Sequence, residues 1–332
     1  MKNLPLISVI IPVYNAQNFI HNAFQFIKDQ NVDLTLEIIF VDNNSTDNSF
    51  EMLSELSSSH ENVFIYQQTI QGAAATRNKG LQEAKGEFIY FFDVDDQLFR
   101  DSLKALSQAL IENPSVEAVF GKMLKSNKSV NQINSLDLDE TNQLILKEKP
   151  YWGMKWFKDL SSVVGPPAFM YRKTVFDKIG NYEENLYTGE DTALDIKLGF
   201  LANIAKIDKY IYLYLKHDSS TTDILKKKKS REFMQWPRIT KSHLPFYLSG
   251  NANSEFGKIL YRKIFSSMGK MICEKKTFQQ RKNVLNQLCQ DIRPLKTPSL
   301  LKSALKILVV LPQGYLLKFY LYYLVPAESK KI

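Results

Sequence analysis

Cysteine is nearly absent. The 332-residue chain has two, Cys273 and Cys289, both late and without C-x-x-C spacing. That excludes a thiolate zinc site and a disulfide framework, and it points to a reducing compartment. No stretch reaches the ~20 uninterrupted apolar residues that a membrane span needs. The opening "MKNLPLISVIIPVYN" is apolar only in short runs interrupted by prolines, and it has no small-residue cleavage site. It reads as a first strand rather than a signal peptide. There is no internal repeat, and no low-complexity tract beyond the lysines Lys226–Lys229. Neither G-x-G-x-x-G nor G-x-x-x-x-G-K-[ST] occurs. The glycine loops of a dinucleotide fold or a P-loop are therefore excluded.

What is present is material for a core. Apolar residues make up 44% and aromatics 12%, which argues against disorder. The length suits one large domain plus a smaller one, or two domains. Charge is divided unevenly. From Lys226 onward there are 22 basic and 5 acidic residues, a net of +17; residues 1–225 hold 21 and 30, a net of −9. A basic last third implies an anionic partner, a membrane surface or a nucleic acid.

Through about residue 125, short β-branched runs alternate with helical patterns. "SVIIPVYN" (Ser8–Asn15), "LEIIFVDN" (Leu36–Asn43), "NVFIYQQ" (Asn62–Gln68) and "EFIYFFD" read as strands. Phe19, Ala23, Phe26 and Ile27 share one face of the first helix at 3.6-residue spacing. The second helix runs from about Asn48 to Ser58, with Thr46 or Asp47 as its cap. Later helices start near Ala73, Ser102 and Glu190. Nearly continuous apolar strands that alternate with helices predict an α/β fold with a mostly parallel sheet covered on both faces. Ligands of such sheets bind beyond the carboxyl ends of the strands. Residues 126–158 are polar and weakly patterned. "WGMKWF" (Trp152–Phe157) suits core packing better than stacking on a sugar ring. Leu300–Pro326, interrupted by Pro312 and Gly314 and dotted with lysines, reads as two short apolar helices. Their basic flanks fit a bilayer interface or packing on a core.

Four polar clusters fall at the ends of the four predicted strands: "PVYN", "VDNNSTD", "QGAAATRNKG" and "DVDD". Each has a plainer reading. Asn15 can begin a turn, Asp42 to Asp47 can be turn and cap chemistry, and Arg77 can sit on a helix surface. That reading is weakest for Asp93, Asp95 and Asp96, because Asp101 and Ser102 are already available to cap the next helix. Adjacent carboxylates repel and raise one another's pKa unless a cation joins them. Mg²⁺ or Mn²⁺ takes one or two such oxygens and completes its shell with substrate phosphates. A D-x-D at a strand end is therefore a candidate metal–diphosphate site. A second acidic pair, Glu190 and Asp191, opens a helix after Gly189, where capping is the plainer reading.

The series "SVIIPVYN…VDNNSTDNS…GAAATRNKG…FIYFFDVDD…TGEDTAL" resembles the family 2 glycosyltransferases of bacterial polysaccharide and cell-envelope synthesis, over about residues 6–222. The resemblance implies a GT-A fold with a catalytic region at 1–225. Its nucleotide-sugar half would be about 1–125, its acceptor half about 126–225, and 226–332 would be a basic, mainly helical extension. It implies an inverting, metal-dependent transfer from a nucleotide-sugar, a UDP-sugar, to a glycan or lipid-linked acceptor. Pro12, Val13 and Asn15 would line the nucleotide pocket, Tyr14 would stack on the base, and Asp42 would accept a hydrogen bond from uracil with Ser45 close by. Arg77 would lie near the nucleotide or its phosphates. Asp93 would contact ribose or sugar, Asp95 would hold Mn²⁺ or Mg²⁺, and Asp96 would support the metal ligand from behind or contact the sugar. Asp191 would be the general base, with Glu190 orienting it or the acceptor. In "YLKHDSSTT", Lys216 and His217 would pair with the diphosphate, His217 would reach the metal, and Ser219 and Ser220 are weaker candidates. The family more often has Leu and a small residue where Phe92 and Val94 stand.

The basic extension would hold the enzyme at the anionic cytoplasmic leaflet as a peripheral protein, bind a polymeric acceptor, or build a homo-oligomer. The competing class is a non-catalytic nucleotide-sugar-binding or anionic-polymer-binding protein. No nucleic-acid motif is present, and no nucleic-acid partner is expected.

Overall fold

Apolar runs without alternation require cover on both faces, and β1 (Leu6–Val13) buries both of its sides. The computed structural model describes residues 6–30, 35–133, 138–216 and 231–331. Two compact units divide the chain, Met1–Ser220 and Thr221–Ile332.

In the first unit, β2 (Thr35–Asp42) and β4 (Phe88–Phe91) are as enclosed as β1, while the edge strand β3 (Val63–Gln67) is half-buried. These four lie parallel in the order β3-β2-β1-β4, linked through α1 (Ile20–Lys28), α2 (Ser49–Ser59) and α3 (Ala73–Glu83). Beyond β4 the sheet becomes mixed. β8 (Phe169–Arg172) pairs antiparallel with both β4 and β6 (Ala118–Ser126). β6 in turn pairs parallel with β9 (Ile204–Leu215). Two short strands, β5 (Gln97–Leu98) and β7 (Leu144–Leu146), join β9 antiparallel. The long ladders are parallel, so the sheet is mostly parallel, as the sequence predicts. The carboxyl ends of β1, β2, β4, β6 and β9 consequently share one edge.

Some local expectations shift. The buried stripe of α1 is Ile20, Ala23, Phe24 and Ile27, with Phe19 and Phe26 only half-covered. Asn48 rather than Thr46 or Asp47 precedes α2; Asp47 still accepts from the Ser49 amide at 3.0 Å. Asp101 does not cap α4 (Ser102–Glu112) through its side chain, and Ser102 Oγ donates instead to the Ile211 carbonyl at 2.8 Å. The weakly patterned 126–158 region contains β7 and α5 (Tyr151–Lys158). Trp152, Met154, Trp156 and Phe157 are buried, in line with core packing.

The second unit is helical among its described residues. Ser254–Cys273 supplies its buried stripe, including Phe256, Leu260, Ile264, Phe265, Met268 and Ile272. Phe278–Asp291 begins with a capping box from Thr277 and Gln280. Ser299–Val310 and Gly314–Phe319 are separated at Pro312, where the sequence predicts a break. No helix among the described residues is long and apolar enough to cross a membrane. The tract Lys226–Lys229 lies outside the described residues.

Candidate active site

At the shared edge, the ends of β1 and β2 are stitched together. The Asn43 amide donates to the Val13 carbonyl at 2.8 Å, the Asn15 amide to Ser45 Oγ at 3.0 Å, and the Thr46 amide to Asn15 Oδ1 at 2.8 Å. Asn15 takes a left-handed backbone (φ 47°), which its short side chain tolerates in a turn. Pro12 and Val13 end β1, and Tyr14 projects with 55% of its surface exposed. Behind them Asp42 is 2% exposed. Its Oδ2 accepts from the Ser45 amide at 3.3 Å, while its buried Oδ1 has no partner among the described groups. Buried acceptors are nearly always satisfied, so this oxygen is open to a further donor such as water or a ligand.

Sequence reading missed Asn43. Its side chain donates to the Gln68 and Ile70 carbonyls at 2.6 and 2.8 Å and accepts from the Gly72 amide at 2.7 Å. It thereby ties the end of β2 to the turn before α3. The "VDNN" cluster signalled polarity there but not which Asn faces inward.

Arg77 on α3 is buried rather than displayed on a helix surface. Its guanidinium donates to Asp93 Oδ1 at 2.7 Å and to Glu190 Oε1 at 3.2 Å, and it lies 5.5 Å over the Tyr182 ring. Burial opposes its charge, but Asp93, Tyr182 and Glu190 outweigh that and hold its pKa above the ordinary value. One cation thus joins the D-x-D cluster to the acidic pair, although their sequence positions lie about a hundred residues apart.

The three acids after β4 differ in setting. Asp93 and Asp95 are half-buried, and Asp96 is buried. Burial pushes the Asp96 carboxyl well above the usual carboxylate range, and Asp93 and Asp95 push it the same way. The donor set fits Mg²⁺ or Mn²⁺. Asp95 offers a hard oxygen at the edge, Asp93 has one oxygen on Arg77, and Asp96 is buried behind the turn. No cluster of three or more metal-ligating side chains occurs among the described residues.

Gly189 precedes α7 (Glu190–Leu201) with φ 77°, a left-handed turn that glycine adopts without strain. It delivers Glu190 and Asp191 to the first turn. Burial raises the Glu190 pKa, Asp191 adds to the shift, and Arg77 opposes it. Asp191 Oδ1 accepts from the Thr192 amide at 2.6 Å and from Thr192 Oγ1 at 3.3 Å. This satisfies a helix-start donor, in line with the capping reading, through one of the two carboxylate oxygens.

Sequence reading also missed Tyr182 and Asp195. Asp195, one turn beyond Asp191, is fully buried, and its Oδ2 has no partner among the described groups. Burial, then Asp191, drives its pKa well above 3.8. An acid inside the apolar run "ALDIKLGF" was the available signal. Lys216, just past β9, is exposed, and its amide donates to the Ser126 carbonyl at 2.9 Å. His217, Ser219 and Ser220 lie outside the described residues.

Comparisons with known proteins bear on the fold and the family. Two curated relatives are an uncharacterized glycosyltransferase of Haemophilus influenzae, 36% identical over 33% of this chain and 44% of that one, and a Campylobacter jejuni GalNAc(5)-diNAcBac-PP-undecaprenol beta-1,3-glucosyltransferase, 35% identical over 36% and 39%. The chain thus spans less than half the length of either. Among solved structures, Staphylococcus aureus TarS in complex with UDP-GlcNAc superposes with a TM-score of 0.66 at 20% identity, over 98% of this chain and 91% of that one. A Pyrobaculum calidifontis mannosyltransferase, in complex with GDP-Man and Mn²⁺, gives 0.54 at 14% identity, over 99% and 88%. The fold is GT-A. The profile described as glycosyl transferase family 2 matches residues 8–180, just over half of the chain, so the chain belongs to glycosyl transferase family 2.

Proposed function

We propose that the protein is an inverting, metal-dependent glycosyltransferase that moves a sugar from a UDP-sugar to a glycan or lipid-linked acceptor in cell-surface polysaccharide synthesis. The observation that carries this reading is the double contact of Arg77 with Asp93 and Glu190, which brings the D-x-D cluster and the acidic pair to one place. In support, TarS is a UDP-GlcNAc complex of the same fold, and the Campylobacter relative is a glucosyltransferase named for an undecaprenol-diphosphate substrate.

In this reading Asp42 Oδ1 accepts a hydrogen bond from the uracil ring, Tyr14 covers the base, and Pro12, Val13, Asn15 and Ser45 shape the pocket. Asp93 orients ribose or sugar, with Arg77 fixing the Asp93 rotamer. Asp95, with His217 as a second ligand, holds the divalent ion, and Lys216 faces the diphosphate. When bound, the ion offsets charge on the departing nucleoside diphosphate. Asp191 Oδ2 removes the proton of the acceptor hydroxyl as that oxygen attacks the anomeric carbon from the opposite face. Glu190, anchored by Arg77, positions the acceptor. Asp96, buried next to Asp95, contacts the sugar or supports the metal-binding acids.

A panel of nucleotide-sugars with Mn²⁺, read by thermal shift and by slow donor hydrolysis, tests the reading. UDP-sugars should stabilise the parent but not Asp95→Asn. Equal stabilisation of both proteins would reject the metal assignment, and no stabilisation of the parent by any nucleotide-sugar would reject the donor class.

We also assign the C-terminal unit a membrane-surface role. Tyr315, Phe319, Tyr322 and Tyr323 are exposed near Lys318, in a part of the chain with a strong positive excess. Aromatics beside lysines suit an anionic bilayer interface. Tyr322→Ser/Tyr323→Ser should reduce co-sedimentation with phosphatidylglycerol vesicles; undiminished binding would reject this role.

A further inference from the structure

On the mixed half of the sheet, the β6–β9 ladder shifts register on both sides of Lys122. Such a bulge re-aims side chains. Gly121 permits it, since an added Cβ would stand 2.3 Å from Ile211 Cγ1 and 2.7 Å from the Lys209 carbonyl. A cavity of about 210 Å³ opens there, bounded by β6, β9, α5 and the segment through Val164.

Three lysines from three different elements line it: Lys122 of β6, Lys155 of α5 and Lys206 of β9. The Lys122 ammonium also donates to the Asp139 carbonyl. Among the described residues one carboxylate answers the three lysines. Asp208 pairs with Lys122 at 2.7 Å and stands 3.8 Å from Lys206, and it is also taken up by the Thr141 amide and hydroxyl at 3.1 and 2.9 Å. The nearby Glu140 is occupied by Lys209 and the Tyr210 amide. Among the described residues, positive charge therefore exceeds negative around a half-enclosed space. Burial lowers the Lys206 pKa, Asp208 opposes that, and Lys122 and Lys155 add to the lowering.

The walls are aromatic. Trp152 and Trp156 stack at 5.9 Å, Lys155 lies 5.3 Å over the Trp152 ring, and Lys122 lies 5.2 Å over Tyr210. These cation–π contacts hold the ammonium groups in place. The buried Trp152 Nε1 has no acceptor among the described groups. Point charges converging from several directions suit a tetrahedral phosphate, whereas a planar carboxylate is better matched by an arginine fork.

We propose that this cavity binds a phosphate ester carried on a sugar or polyol, with the phosphate on Lys122, Lys155 and Lys206 and the carbon body against the aromatic wall. Resting on the glycosyltransferase reading, the ester belongs to the acceptor. β9 runs on from Tyr210, at the cavity, to Leu215, whose backbone is bonded to Asp96. Five residues of strand span about 16 Å, so an extended acceptor would reach both places.

The test is calorimetric titration of the full chain with glucose 6-phosphate, inorganic phosphate and glucose, with and without saturating UDP and Mg²⁺. UDP keeps the ester out of the donor pocket. Glucose 6-phosphate should bind, glucose should not, and Lys155→Gln/Lys206→Gln should weaken binding about tenfold or more. Lys104→Gln, a surface lysine elsewhere, should leave it unchanged. Retained UDP binding by the double variant shows that it is folded. Unchanged affinity in the double variant, no binding by the parent, or inorganic phosphate binding as tightly as the ester would each overturn the proposal. Failure of UDP alone to bind counts against the donor reading only, because the ester is also titrated without it.

Discussion

The two halves of the sheet solve different problems. On the parallel side, β3-β2-β1-β4, each strand is followed by a nearby helix, and every polar cluster sits where a strand ends. On the mixed side, β8 arrives antiparallel from a distant part of the chain, a bulge shifts β6 against β9, and the acidic pair comes from the start of a helix. The first half builds a site out of strand ends, and the second builds one out of insertions. In the proposed enzyme the first grips the donor and the second supplies the base.

The sharpest way to separate the halves is Asp191→Asn. Transfer should fall about 10²- to 10⁴-fold, the usual contribution of a positioned base, while calorimetric UDP binding stays near that of the parent. Full transfer by this variant would remove the assignment of the base.

Arg77 joins the two halves, so Arg77→Met should break the comparison. Two carboxylates would lose their common cation in a buried place, at a cost of about 3–5 kcal/mol in urea denaturation. A variant as stable as the parent would show that the bridge is dispensable.

The smallest effect belongs to Asp195, within the mixed half alone. Its pKa is raised in the folded chain, so the folded state keeps a proton that the unfolded state releases. Its contribution is intact below the ordinary aspartate value of 3.8 and declines as pH rises above it. Asp195→Asn removes that decline. Melting temperatures of parent and variant should agree near about pH 4 and separate toward pH 7, with the variant higher. Parallel curves would contradict the buried, proton-holding assignment.

The difference between the halves also explains what was legible in the sequence. β1 to β4 and their intervening helices follow from local periodicity, and their boundaries fall within a residue or two of expectation in most cases. Asp42, Asp93 and Asp95 could be placed on one edge because strands of one direction end together. The insertion of β8 between β4 and β6 leaves no local mark, because its direction is set by pairing with residues about fifty or more positions away. Tyr182 has no periodic context at all; its position beneath Arg77 depends on the loop ahead of α7. Asp195 was visible as an acid among apolar neighbours, but its burial needed the helix to be docked. Arg77 was readable as a residue of interest, while its role as a bridge was not, since one of its partners is 113 residues away.

That separation has a consequence for the order in which the molecule comes into being. Arg77 and Asp93 are 16 residues apart and emerge almost together during synthesis, whereas Glu190 follows much later. A nascent chain that has passed β4 already owns the acids assigned to the metal and the donor, with Arg77 committed to only one partner. Glu190 and Asp191 arrive later, and Glu190 takes the second hydrogen bond of the same guanidinium. In the proposed enzyme the strand-end acids are therefore made well before the base, and the second contact of Arg77 marks the arrival of the acidic pair.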